Sequence, residues 1–311
     1  MYMFKGAFLG SPGPCGFSAA AFAGGGFKIS AFSTAGPGKP KPGDPREALE
    51  YPSIKSLLAA ELQLDFAAIS LQPEQTCEAV LAALERGLHV ICSSPPCLSS
   101  TEFETLRGAS EKAGRIIFIV QPWEHAAPWL ALSKALTRGL AGEVNYAEVQ
   151  ALLPGPAPEG GALAALGWEA ASMLLAMVRR PPSAVEARLS GPAAALHVHF
   201  GGADGFLHLS CGAHAPRLRA AVSGDKGRIE LDGNLLRLDI KGMAPETVEL
   251  RNELVPGACN PEWLAAELSD FKKEIEGGRE SGSGLRNARY CVKLLRNASY
   301  SASVKSAAIP L

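Results

Sequence analysis

The sequence predicts an α/β protein: a doubly wound parallel sheet, followed by a second α/β domain with a large open, mostly antiparallel sheet. Three observations predict it. Residues 4–120 alternate short apolar runs with amphipathic runs at the spacing of strand–helix units. From about residue 143 the pattern changes to short strand-like runs joined by hairpin-like turns, the mark of an antiparallel sheet. The chain has 311 residues, more than one hydrophobic core ordinarily supports. The expected domains are 1–122 and 123–311.

In chain order, FKGAFLG (4–10) reads as a strand, GSPGPCG as a tight turn, and Phe17–Ala23 as a helix. FKISAFST (27–34) is a second strand. AGPGKPKPGDP is too rich in Pro and Gly to be helical. SIKSLLAAEL (53–62) is a helix with Ser53 as N-cap. LDFAAISL (64–71) is a buried strand, and EQTCEAVLAALERG (74–87) a helix stopped by Gly87. LHVICS is a strand, TEFETLRGASEKAG (101–114) a helix opened by a Ser/Thr cap, and RIIFIV (115–120) a strand. EVNYAEVQAL, AVEARLS, ALHVHF, GFLHLSC, RAAVSG, GRIELDG, LLRLDI and TVELRN are the strands of the second sheet, interrupted by a helix at about 162–178. EWLAAELSDFKKEIEGG and GLRNARYCVKLLRNA are closing helices.

Thirty basic against 31 acidic residues leave no cationic excess for nucleic acid or an anionic membrane. No stretch reads as an apolar run of about 18 residues, so no membrane span is expected. Gly and Pro break the apolar N-terminus, which fits a strand, turn and helix better than an export signal. Seven scattered cysteines without a C-x-x-C pair read as reduced thiols of a cytoplasmic protein.

Ligands of a doubly wound, Rossmann-type sheet bind beyond the carboxyl ends of its strands. That rule selects Gly10–Gly16, the loop after Thr34, the turn at Leu71, Ser93–Pro96 and Gln121–His125. Gly10, Ser11, Gly13 and Gly16 resemble a dinucleotide fingerprint, spaced G-x-x-G-x-x-G rather than G-x-G-x-x-G. Pro12 and Pro14 lie among them and lack the amide hydrogens a pyrophosphate would use. The second strand ends in Ser33 and Thr34 where an acidic residue usually holds the ribose 2′-hydroxyl. Lys39, Lys41 and Arg46 follow, a pattern suited to a 2′-phosphate, so NADP is favoured over NAD. The competing reading is a glycine-rich turn and a solvated basic loop.

ALERGLHVICSSP, EKAGRIIFIV, LTRGLAGEVNYAEV, GDKGRIELDGN (224–234) and the closing helices together resemble the glucose–fructose oxidoreductase/inositol dehydrogenase/MocA family. The resemblance runs from about residue 4 to the C-terminus. It implies a nicotinamide-binding domain and an open-sheet domain, oxidation or reduction of sugar-like compounds, and homodimers or homotetramers built through that sheet. Ser93-Ser94-Pro95 stands where the family has Glu-Lys-Pro, so its proton-transferring lysine is Ser94 here. The family's Asp-x-Gly-x-His-x-x-Asp motif aligns with Ala165-Leu-Gly167-Trp168-Glu169-Ala-Ala-Ser172, which puts Glu169 in place of the catalytic histidine. Trp123-Glu124-His125 replaces an Asn-Arg-Arg stretch, and Thr76 a common histidine.

Hydride transfer from an alcohol needs a base with a pKa near the working pH, and a lone serine is not one. Glu169 and His125 are the remaining candidates for proton handling, with Ser94 binding substrate. The other reading is a non-catalytic member that keeps the fold as a small-molecule-binding or partner subunit. His197-x-His199, with His208 and His214, raises the question of a metal; no carboxylate or cysteine is evidently placed with them in the sequence, so none is expected. Cys92 reads as buried and inert, Cys97 as an exposed thiol.

Overall fold

The computed structural model describes residues 3–11, 17, 19–34, 48–277 and 283–311. The chain divides into two units. One holds Met1–Pro122 and Cys259–Arg289, the other Trp123–Ala258 and Tyr290–Leu311. The expected span 123–311 is therefore not continuous, because residues 259–289 group with the first unit.

The first stretch runs β1 (Phe4–Gly10), α1 (Ala19–Gly24), β2 (Phe27–Ser33), β3 (Leu49–Glu50), α2 (Ile54–Ala59), β4 (Phe66–Ser70), α3 (Pro73–Glu85), β5 (His89–Cys92), α4 (Ser100–Ala113) and β6 (Ile117–Ile119). A 3-10 turn at Pro122–His125 follows, then α5 (Ala127–Thr137), β7 (Val144–Leu153), α6 (Gly161–Val178), β8 (Pro182–Leu189) and β9 (Ala193–Phe200). The chain closes with β10 (Ala203–Cys211), β11 (Arg217–Gly224), β12 (Gly227–Asp232), β13 (Leu235–Ile240), β14 (Glu246–Glu249), α7 (Pro261–Ile275), α8 (Ser283–Ser303) and β15 (Ile309–Pro310).

Among the described residues of the first unit, six strands lie in the order β3-β2-β1-β4-β5-β6, all parallel. Strand order reverses at β1, which puts a crevice beyond the carboxyl ends of β1, β2 and β4. The strands are apolar along nearly their whole length because helices cover both faces. The helix ends follow their local sequence. Ser53 and Ser56 form a reciprocal capping box for α2, and Ser99 and Glu102 form one for α4. Gly114, in the left-handed region at φ 59°, ends α4.

The first unit's core is aromatic. Phe22, Phe27, Phe66 and Phe271 are fully buried. The Phe271 ring stacks on Phe27 at 5.5 Å and meets Phe66 edge-on at 6.1 Å. Phe271 lies on α7, so this helix completes the sheet's cover.

Among the described residues of the second unit, nine strands lie in the order β14-β13-β12-β11-β7-β10-β9-β8-β15. Only β7 and β10 pair in parallel, so the sheet is mostly antiparallel as expected. α6 packs on one face, against Ala147, Val149, Leu196, Val198 and Leu207. A Cβ on Gly205 would lie 2.8 Å from the Leu174 side chain, so this glycine sets the depth at which α6 sits on β10. The other face carries Tyr146, Glu148, His197, His199, Phe206, Arg219, Arg228 and Glu230.

α6 is long and apolar enough by length and composition to cross a membrane, contrary to the expectation that no such run exists. It is mostly buried against its own sheet, and it carries Glu169. Three elements escaped the sequence reading: β3 and β15, of two residues each, and α5.

His89 opens β5 at the end of the sheet opposite the crevice. Its Nδ1 accepts the Ile116 N–H at 3.3 Å, and Nε2 lies 3.3 Å from the Arg115 guanidinium. Burial first, and then the Arg115 charge, lower its pKa from 6.5 to about 4, against an opposing pull from Asp65. A depressed histidine stabilises the fold fully above its ordinary pKa and loses that contribution as pH falls through the folded value. Thermal melts of the wild type and His89→Gln between pH 7 and pH 4 should therefore converge or cross as pH falls, on the order of 1–3 kcal/mol.

Candidate functional site

Gly10 ends β1 at φ +112°, where an added Cβ would sit 2.0 Å from the Ser70 carbonyl oxygen. The next residue, Ser11, donates its backbone N–H to that same oxygen at 3.0 Å. Glycine is thus required at position 10 by the close approach of β1 and β4 as well as by its dihedral angle. Gly13, Gly16, Pro12 and Pro14, with Lys39, Lys41 and Arg46, lie outside the described residues.

A cavity of about 1220 Å³ opens within the first unit at the carboxyl ends of β2 and β4. Ser33, Thr34 and Leu71, all chosen from the sequence, are in its wall with Gln75 of α3. Glu50 of β3 and Lys55 of α2 also line it, and both were missed. The missing signal was β3 itself, whose two residues carry no readable period. Ser33 is buried, and its Oγ has no hydrogen-bond partner. Burying a hydroxyl unpaired costs about 1–3 kcal/mol, so a polar atom entering the cavity would recover that cost. The wall offers polar groups to the sugar end of a nucleotide: an orphaned hydroxyl, the carboxylates of Glu50 and Glu78, and the Lys55 ammonium, around a space large enough to hold it.

Ser93 follows β5 and ties its backbone N–H to Ile69 O at 2.9 Å, which fixes the direction in which the chain leaves the sheet. Ser94 is exposed, and among the described residues its hydroxyl bonds to no base. It has no activated nucleophile's geometry. Pro95 is partly exposed, and the Ser94–Pro95 peptide is cis. Thr76 is fully buried on α3, where Oγ1 donates to Gln72 O at 3.0 Å, so it serves the helix. Cys97 is buried, at 1 % exposure, which corrects the reading of an exposed thiol. Burial pushes Cys92 and Cys97 up to about 12, so neither is a nucleophile at neutral pH.

In the second unit, Glu169 lies on the apolar helix α6 beside buried Trp168. The residue is partly exposed, yet its carboxyl is desolvated by the helix and its neighbours. Its Oε2 accepts the Gly257 N–H at 3.0 Å. Burial raises its pKa from 4.5 to about 7, and that one hydrogen bond to the charged form offsets only part of the cost. The group can therefore hold or release a proton near neutrality. Trp168 Nε1 is buried with no hydrogen-bond partner. His125 ends the 3-10 turn and is half-buried. Ser172, in place of a family aspartate, is buried with its Oγ 3.3 Å from Cys291 Sγ and plays a packing part.

The raised carboxyl has a signed consequence for stability. Its contribution is complete below the ordinary carboxylate pKa and is lost as pH rises through about 7. Glu169→Gln should melt higher than wild type at pH 8, by on the order of 1–3 kcal/mol, and show no such gain at pH 4. Gly10→Ala should lower stability by about 2 kcal/mol or more, read by thermal melting.

No family model matches the chain. A stretch of 104 residues is 25 % identical to the uncharacterized oxidoreductase YfiI of Bacillus subtilis, covering 32 % of this chain and 26 % of that protein. The chain thus matches about a quarter of that curated relative's length. Likeness to solved structures extends over almost the whole chain. The aldose-aldose oxidoreductase of Caulobacter crescentus, complexed with glycerol, is 19 % identical over 100 % of both chains with a TM-score of 0.80. An Agrobacterium radiobacter oxidoreductase with NAD+, L-tartaric acid and magnesium is 17 % identical over 99 % of this chain and 98 % of its own, TM-score 0.80. An inositol dehydrogenase homolog of Azotobacter vinelandii, with NADH and myo-inositol, is 15 % identical over 99 % and 97 %, TM-score 0.77. The chain has the two-part α/β fold of the glucose–fructose oxidoreductase/inositol dehydrogenase/MocA-type oxidoreductases.

Proposed function

We propose that this chain is a nicotinamide-dependent oxidoreductase acting on a sugar-like or other small carbonyl, hydroxyl or imine compound. The carrying observation is the cavity at the carboxyl ends of β2 and β4, with the buried, unpartnered Ser33 hydroxyl in its wall. Structures of the same fold that hold NADH or NAD+ support it. NADP is the favoured cofactor, from Ser33 and Thr34 in place of an acid and from Lys55 in the wall; Glu50 in the same wall pulls toward NAD. When bound, the nicotinamide would give or take a hydride.

The chain's own part is the proton. A protonated Glu169 carboxyl donates to the substrate oxygen or nitrogen as the adjacent carbon is reduced. In the reverse direction its carboxylate takes the hydroxyl proton. A pKa of about 7 suits both. His125 is the second candidate for that proton, and Ser94 hydrogen-bonds substrate. The cytoplasm is the proposed location, from seven scattered cysteines with no C-x-x-C pair. A homodimer or homotetramer through the open sheet is the proposed assembly.

The exposed Ser94, without a base, favours a second reading in which the fold binds a small molecule or a partner and catalyses nothing. Titration with NADPH and NADH separates the two, followed through the four tryptophans or the nicotinamide fluorescence. Saturable binding, tighter for NADPH, is expected; no binding of either at millimolar cofactor would sink the enzyme reading. In a screen of sugars, cyclitols and small carbonyls, Glu169→Gln should then cut turnover about 10²–10⁴-fold. Unchanged turnover would remove Glu169 from the chemistry.

A further inference from the structure

The open face of the second unit's sheet holds a group of side chains that the proposed reaction does not use. β8, β9 and β10 are adjacent and antiparallel. Their register sets Glu186 opposite His197, and Asp204 opposite His199. His197 and His199 are two residues apart on one strand and so share a face. The rings lie 4.0 Å apart by their centroids. Phe206 stacks on His197 at 4.4 Å and 10°, which fixes that imidazole's plane.

His199 Nε2 lies 3.0 Å from Glu186 Oε1, while its Nδ1 lies 3.4 Å from Asp204 Oδ1. His197 Nε2 lies 2.7 Å from the same Asp204 oxygen. One ligand atom from each of Glu186, His197 and His199 falls within 4.8 Å of the others. The sequence reading expected no carboxylate here; strand register supplies two.

We propose that Glu186, His197 and His199 bind a divalent transition metal of the zinc class, with Asp204 as the outer partner. Ligand atoms about 2.1 Å from Zn²⁺ stand about 3.4 Å from one another in a tetrahedron, so small rotamer changes close the set. His199 coordinates on its Glu186 side, and its other ring nitrogen donates to Asp204, which orients the ring. Two imidazoles and one carboxylate select zinc over magnesium or calcium, which prefer oxygen. Three protein ligands leave a fourth position open to water. In the single chain all four side chains reach solvent, so the ion can load before the sheet face is covered by a second copy.

Calorimetric titration of the full, untagged, chelator-treated chain with ZnCl₂ tests the assignment. One equivalent of Zn²⁺ per chain is expected. His199→Ala should weaken binding about 100-fold or more and Asp204→Asn about 10-fold. His208→Ala should leave it unchanged, since this residue shares the face but pairs with Gln150. With Co²⁺ as probe, wild type should give the intense visible spectrum of a four-coordinate ion, and His199→Ala should not. Circular dichroism checks that each variant is folded. No saturable binding of Zn²⁺ or Co²⁺, or wild-type affinity in folded His197→Ala and His199→Ala, overturns the proposal.

Discussion

The packing of Phe271 against Phe27 and Phe66 is the contact on which the first unit depends. A parallel sheet must be covered on both faces, and its apolar strands leave no solvated side. α7 provides part of that cover from a segment well over a hundred residues further along the chain. Its Leu268 approaches Gly25 so closely that an added Cβ would lie 3.0 Å from the leucine's own. Its Glu267 carboxylate receives the Gln121 N–H at 3.2 Å in a buried setting. Burying a phenylalanine stabilises by about 1.5–3 kcal/mol, so this aromatic group carries a large share of a typical domain's margin. The loops that surround the cavity are held in place by a sheet that α7 helps to close.

The protonation of Glu169 is shaped by solvent exclusion rather than by charge partners. A lysine or histidine brings an intrinsic pKa that moderate tuning carries to neutrality. Glu169 starts far lower and reaches the same range because an apolar helix removes its water while Gly257 returns only one hydrogen bond. Two residue types with opposite charge habits are thereby brought to a similar working range. Ser94 has no comparable environment, and exposure leaves its hydroxyl an ordinary hydrogen-bonding group.

Much of the fold was legible because periodicity and punctuation agreed. Ser53, Ser99, Gly87 and Gly114 mark helix ends by local chemistry that acts within a few residues. The longer strands of both sheets read cleanly for the same reason. β3 and β15 are too short to show a period, and α5 was lost between two well-marked segments. The return of α7 to the first unit is invisible to local pattern, since an amphipathic helix does not reveal which sheet it covers. At the cavity, Ser33, Thr34 and Leu71 followed from the rule about strand ends, whereas Glu50 and Lys55 needed the position of β3 and α2. The histidine pair could be seen in the sequence, but Glu186 and Asp204 reach it only through strand register. Cys97 was misjudged because a proline-rich loop suggests exposure, while its side chain in fact turns inward.

The discontinuity of the first unit bears on how the protein is made. A ribosome delivers residues 1–122 long before it delivers Phe271, and the whole of β7 through β14 emerges in between. Throughout that interval the nascent parallel sheet displays an uncovered phenylalanine-rich surface. Strict segment-by-segment folding in order of synthesis therefore does not suit this unit, whose aromatic core is complete only once α7 has been made.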